Sequence, residues 1–102
     1  MDMNEMMQQA QMMQMELARA QEEIQSMTFT ASAGGGMVKA TAKGDSTIQS
    51  IQIDPEAVDP DDVEMLQDMV LAAVNSALRG VSEAGEQRMA AVTGGISIPG
   101  LF

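Results

Sequence analysis

Apolar side chains recur through the first quarter of the chain at alternating intervals of three and four: Met3, Met6, Ala10, Met13, Leu17, Ala20, Ile24 and Met27. This a/d heptad stripe predicts a helix over about residues 3–26 that packs lengthwise against another helix as a coiled coil. At about 1.5 Å per residue the stripe is about 37 Å long. Asp2 or Asn4 is placed to cap it. Alternation then replaces the heptad. Met27, Phe29, Ala31 and Ala33 fall on one face and Thr28, Thr30 and Ser32 on the other, which predicts a strand over 27–33. Met27 can serve both elements. Gly34-Gly35-Gly36 breaks the pattern, since glycine accepts positive φ and lets another backbone come close.

A second strand, 37–43, turns Val38, Ala40 and Ala42 inward and Met37, Lys39, Thr41 and Lys43 outward. Gly44-Asp45 signals a turn. In a third strand, 47–53, Ile48, Ile51 and Ile53 do not share one parity, so a β-bulge is expected near Gln49-Ser50. The three strands form an antiparallel meander that Asp54-Pro55 ends. Asp59-Pro60-Asp61-Asp62 then reads as a helix start, with Asp59 as N-cap, Pro60 at the first helical position and acids facing the helix dipole. Val63, Leu66, Val70, Ala73, Ala77 and Val81 repeat at three and four, widened by Met65, Met69, Val74 and Leu78, and predict a helix over about 60–93. Gly80 and Gly85 weaken it and invite a bend. The fold class is α+β: one domain, 1–95, followed by an apolar tail, 96–102, that reads as mobile or partner-dependent. A chain this short has little surface to cover its own a/d stripe. The stripe therefore predicts an oligomer with Met6, Ala10, Met13, Leu17, Ala20 and Ile24 at the seam.

Composition sharpens this picture. The chain has 102 residues, no tryptophan or tyrosine, two phenylalanines and twelve methionines. Its core must use aliphatic residues and methionine, which specifies shape weakly. A core shared between two chains would offset that weakness. Histidine and cysteine are absent, which removes disulfides, thiolate nucleophiles, the usual zinc sites and the commonest general base. Asp59, Asp61, Asp62 and Glu64 resemble a calcium loop only superficially, because Glu64 and Val70 stand where glycine and glutamate are required. The glycine run lacks the GK[ST] ending of a phosphate loop. The methionine stripe invites comparison with a soft copper site, but strict a/d spacing favours packing. No enzyme, metal or cofactor is read from the residues. No signal peptide or apolar span is seen, so a soluble cytoplasmic protein away from membranes is expected.

The net charge is −10. Only residues 34–53, with Lys39 and Lys43 against Asp45, are not acidic. Lys39 and Lys43 share a strand face, Arg19 falls at a heptad c position, and Arg79 and Arg88 lie on the second helix. These five are the candidate phosphate contacts, chosen by charge.

The order and spacing of MQQAQMMQMELARAQEEI, GGGMVKATAKGD, IQSIQIDPEAV, DDVEMLQDMVLAAVNSALRGV and MAAVTGGISIPGLF resemble the YbaB/EbfC family of bacterial nucleoid-associated proteins across nearly the whole chain. The resemblance implies a helix–sheet–helix subunit in an intertwined, tweezers-shaped homodimer. It implies binding to duplex DNA that compacts or coats it and a role in nucleoid organisation or DNA maintenance; because the chain has no recognisable base-reading element, that binding is expected largely without sequence preference. It also brings recombination and other nucleoid proteins into view as partners. The alternative reading is an acidic dimeric adaptor that docks another protein through its methionine-rich helices and apolar tail. Five basic residues against fifteen acids make a sparse electrostatic footprint for DNA.

Overall fold

The computed structural model describes residues 2–94. Helix α1 spans Met3–Ser26, strands β1, β2 and β3 span Thr28–Ala33, Val38–Lys43 and Ile48–Ile53, a short 3-10 turn spans Pro55–Ala57, and helix α2 spans Val63–Gly94. The sheet is antiparallel in the order β1-β2-β3. The predicted tail, 96–102, lies outside the described residues.

Local chemistry sets these boundaries. Asp2 caps α1 by accepting from the Glu5 N–H at 2.8 Å. The helix stops where the threonines of β1 begin, and Met27 packs against the sheet–helix core. Gly34, Gly35 and Gly36 all take positive φ in the β1–β2 connection. The expected bulge is present: Thr41 pairs with Ser50 but Ala42 pairs with Ile48, so Gln49 is the extra residue. In the β2–β3 turn the left-handed residue is Ser46, not Gly44. Gly44 is required for space instead. It donates to the Met27 carbonyl at 2.9 Å, and a Cβ there would collide with the Ile24 carbonyl oxygen.

The second helix starts three residues later than the sequence predicts, and its cap is Asp62 rather than Asp59. Asp62 accepts from the Met65 N–H at 3.2 Å. Asp59 instead accepts from the Asp61 N–H at 2.9 Å, in a turn closed by the Asp62 N–H on the Asp59 carbonyl. Proline suits the second position of such a turn as well as the first position of a helix, so the Asp-Pro signal fits both. No break occurs at Gly80 or Gly85, and α2 runs through them. They are points of close approach: a Cβ on Gly80 would strike the Phe29 ring, and one on Gly85 would press the Ile24 side chain at 3.1 Å.

The core is thin. Val38, Ala40 and Ala42 of β2 meet Ala73, Ala77 and Val81 of α2, all buried. Larger apolar side chains, including Leu66, Met69, Val70, Val74 and Leu78, are packed around this centre and only partly covered. Helix α2 lies over β1 and β2. On β3, the helix-facing Ile51 and Ile53 remain 44% and 41% exposed.

The first helix finds a partner within the chain. Ala20 is buried and Ile24 is half-buried, with α1 running antiparallel along the second half of α2. The Arg88 guanidinium ties the two helices by donating to Glu23 at 2.8 Å. The expectation that the whole stripe lacks intrachain cover is thus corrected for its second half. Its first half extends away, with Met3, Met6, Met7, Met12 and Met15 all exposed. The result is a long molecule of 72 × 23 × 15 Å with a radius of gyration of 20.2 Å, against about 13 Å for a compact 100-residue domain.

Two substitutions test this account. Asp62→Ala should lower stability by about 1 kcal/mol and Asp59→Ala by less, read from urea unfolding midpoints. Gly44→Ala should cost about 1–3 kcal/mol, because the atom in its way belongs to the α1 backbone and cannot rotate aside.

Candidate nucleic-acid interface

The five basic side chains fall on three different surfaces. Lys39 and Lys43 project from the side of β2 opposite its buried Val38, Ala40 and Ala42. Arg19 and Arg88 both line the groove between the helices, with Glu16, Ala20, Ala91 and Val92. Arg79 is exposed on α2, away from the Ala73–Ala77–Val81 contact.

Each arginine has an acid close by. Glu23 holds Arg88 directly. Arg19 has Glu16 beside it in the groove, with Glu22 and Glu23 one turn further along α1. Arg79 precedes Glu83 by four residues, a spacing that brings side chains together on a helix.

The lysines also have an acid near each of them, Asp54 in one groove with Lys39 and Asp45 next to Lys43, but they stand among hydroxyls as well. Strand pairing sets Ser32, Lys39 and Gln52 in one row across the outer side of the sheet and Thr30, Thr41 and Ser50 in the next. The Thr30 and Thr41 hydroxyls are hydrogen-bonded to each other at 2.8 Å. Thr28 pairs with Lys43 in a third row. None of these outward positions on the three strands is an acid. Two aspartates flank the face in turns. Asp45 accepts from the Thr47 hydroxyl and N–H. That hydroxyl bond, with help from the neighbouring Lys43 charge, holds the Asp45 carboxyl below its ordinary range. Asp54 caps the 3-10 turn by accepting from the Glu56 N–H at 2.9 Å.

Sequence alternation marked Lys39, Thr41 and Lys43 as outward, and Thr28, Thr30 and Ser32 likewise. What it could not supply was the register that joins them into one surface. The acids at the start of α2 serve as caps and turn formers. Among the described residues, no cluster of three or more acids is arranged to hold a metal ion, and no helix is long and apolar enough to cross a membrane. Of the predicted seam, Met6 and Ala10 are exposed and Met13, Leu17 and Ile24 half-buried, while Ala20 is buried inside the chain.

Comparison with known proteins agrees with this architecture. A nucleoid-associated protein of Thermoanaerobacter pseudethanolicus is 54% identical over 101 residues, spanning 99% of this chain and 91% of that one. One from Pelotomaculum thermopropionicum is 52% identical over 101 residues, spanning 99% and 96%. The crystal structure of an uncharacterised Helicobacter pylori protein superposes with a TM-score of 0.66 at 25% identity, covering 85% of this chain and 91% of its own. The model of the YbaB/EbfC DNA-binding family matches residues 1–96. The chain belongs to the YbaB/EbfC DNA-binding family.

Proposed function

We propose that this protein binds duplex DNA as a homodimer in the bacterial nucleoid, largely without sequence preference, and serves nucleoid organisation or DNA maintenance without performing covalent chemistry. The observation that carries this reading is the family match across residues 1–96. The nucleoid association of its relatives supports the location.

Dimerisation is supported by what a single chain leaves bare. Its accessible surface is 7389 Å², whereas a compact folded protein of 10.8 kDa exposes about 5,500 Å². Ile51, Ile53, Val58 and Val63 are exposed together at the β3 side of the sheet and the start of α2. With the free first half of α1, they form the surface that a second copy covers. The seam assigned to Met6, Ala10 and Met13 belongs to that contact. Ala20 and Ile24 serve α1–α2 packing within the chain.

Duplex DNA meets this dimer mainly through phosphates. Two chains offer ten basic side chains between them, spread over three surfaces of each chain, so few contacts form. Lys39, Lys43, Arg19, Arg79 and Arg88 remain the candidates. Long-range repulsion from the acidic total is screened beyond about 8 Å at physiological salt, so local charge decides.

The exposed methionines Met3, Met6, Met7, Met12 and Met15 favour one second reading, an adaptor that docks another nucleoid or recombination protein. Met7 and Met12, like Met15, lie off the a/d positions and are exposed.

Two measurements follow. Sedimentation equilibrium should give the mass of two chains at micromolar concentration, and Ile53→Asp should abolish dimers by placing a charge in an apolar contact. A stable, fully folded monomer of the unmodified protein would contradict the dimer. Binding to random-sequence duplex DNA should be micromolar or weaker near physiological salt. About four phosphate contacts give a slope of log K against log salt of about −3.6. Absence of salt-sensitive binding even at low ionic strength would leave the adaptor reading in front.

A further inference from the structure

We propose that the first half of α1 carries a reversible oxidation site: the thioethers of Met7, Met12 and Met15 take oxygen from hydrogen peroxide as sulfoxides, and thiol-dependent sulfoxide reductases remove it again, with the fold intact throughout. This is independent of the DNA-binding reading and needs neither the duplex nor a second copy.

Composition confines such oxidation to methionine. The chain has twelve methionines and no cysteine, histidine, tryptophan or tyrosine. Peroxide therefore finds no thiol to carry up the ladder of sulfur acids, and it cannot join two chains by a disulfide. Seven of the twelve methionines stand within the first fifteen residues, so the thioethers are concentrated in one element.

Packing does not account for all of them. With Met3, Ala10 and Leu17 at a and Met6, Met13 and Ala20 at d, Met7 falls at e, Met12 at c and Met15 at f. Positions c and f face away from the seam, and e flanks it. Met7, Met12 and Met15 are 58%, 60% and 63% exposed. None of the three belongs to the sheet–α2 core or to the side chains packed against it. Helix propensity does not call for methionine here either, since glutamine, glutamate and lysine match it. What distinguishes a thioether in water from those residues is an oxidisable sulfur. Met3, Met6 and Met65 are exposed too, but the first two hold seam positions and the third stands alone on α2, so they are not part of the site.

The surroundings suit the product. A sulfoxide is polar and disrupts an apolar core. Met12 has Gln8 and Glu16 one turn to either side, and Met15 has Gln11 and Arg19, all four exposed. The Arg19 guanidinium is a pure donor, placed one turn from an oxygen on the Met15 sulfur. The new polar group thus enters a polar surface. Met27 and Met69, by contrast, pack against the buried core, and Met37 and Met89 are half-buried. Oxygen on those four would disturb packing.

The chemistry balances in both directions. A sulfur lone pair attacks one peroxide oxygen, the O–O bond breaks, that oxygen stays on sulfur and the other leaves as water. Sulfur gives up two electrons and the peroxide accepts them. In reverse, two thiols supply two electrons, the sulfoxide oxygen leaves as water and the thiols end as a disulfide. Each sulfoxide epimer requires its own reductase. Such an enzyme must enclose the oxidised side chain. The first half of α1 extends away from the body of a molecule 72 Å long, so it offers that side chain without unfolding.

The test follows oxygen residue by residue. The unmodified protein is treated with hydrogen peroxide, sampled over time, digested and weighed. Met7, Met12 and Met15 should each gain one oxygen several-fold faster than Met27, Met37, Met69 and Met89. Helicity by circular dichroism and the urea midpoint should hold while the three are converted, and fall only when the half-buried four react. The two epimer-specific reductases with dithiothreitol, added to the folded protein, should return the three to their original mass. Met7→Leu/Met12→Leu/Met15→Leu should keep the helicity and take up three fewer oxygens before it falls. If that variant folds poorly, the residue-by-residue rates and the reductase step on the unmodified protein decide alone. Equal rates at exposed and half-buried methionines would overturn the site. So would loss of helicity as the three are converted, or reduction that succeeds only after unfolding in urea.

Discussion

Everything in this molecule follows from how closely α2 lies on the sheet. The residues where the two meet are small: Ala40 and Ala42 on one side, Ala73 and Ala77 on the other, all without exposed surface. Small side chains permit a short separation but contribute little apolar area each, and apolar area removed from water is the main favourable term in folding. Phe29, the only aromatic ring among the described residues, fits beside α2 because Gly80 has no side chain. The larger aliphatic groups and methionines cannot enter so thin a centre. They are displaced to its margins, where a single chain covers them incompletely.

That displacement explains the pattern of exposure. A helix about 10–12 Å across covers two strands spaced by about 4.8 Å and leaves a third uncovered. Here α2 covers β1 and β2. The isoleucines of β3 therefore face the helix side without a helix over them. The first helix behaves similarly along its length. Its second half is fastened to α2 through Ala20, Ile24 and the Arg88–Glu23 pair, and its first half is left to find another neighbour.

The sequence made much of this readable because periodicity is local. The heptad of α1, the alternation in β1 and β2, and the parity slip at Gln49 all report on residues a few positions apart. What periodicity does not name is the partner. The α1 stripe pointed to a second helix, and only the fold showed that α2 supplies it for Ile24. Gly85 was the available signal, since a glycine in a helix interior is costly unless something needs the room. Asp59 misled because Asp-Pro serves a turn and a helix start equally well, and the cap passed to Asp62. The candidate phosphate contacts were legible as a set of five charges. Their division among three surfaces, and the Glu23 carboxylate on Arg88, depend on tertiary placement that charge counting cannot supply, whereas Glu16 and Glu83 stand three and four residues from Arg19 and Arg79 in the sequence itself.

The elongated outline bears on how the protein behaves in solution. A body of 72 × 23 × 15 Å drags far more solvent than a sphere of equal mass. Its Stokes radius is set by length, so a column calibrated with rounder proteins returns too large a mass for one chain. Rotation about the long axis is quick and tumbling of that axis slow, which gives each amide a relaxation rate that depends on the direction of its bond. The helical amides, aligned with the axis, and the strand amides therefore report different correlation times from the same rigid particle.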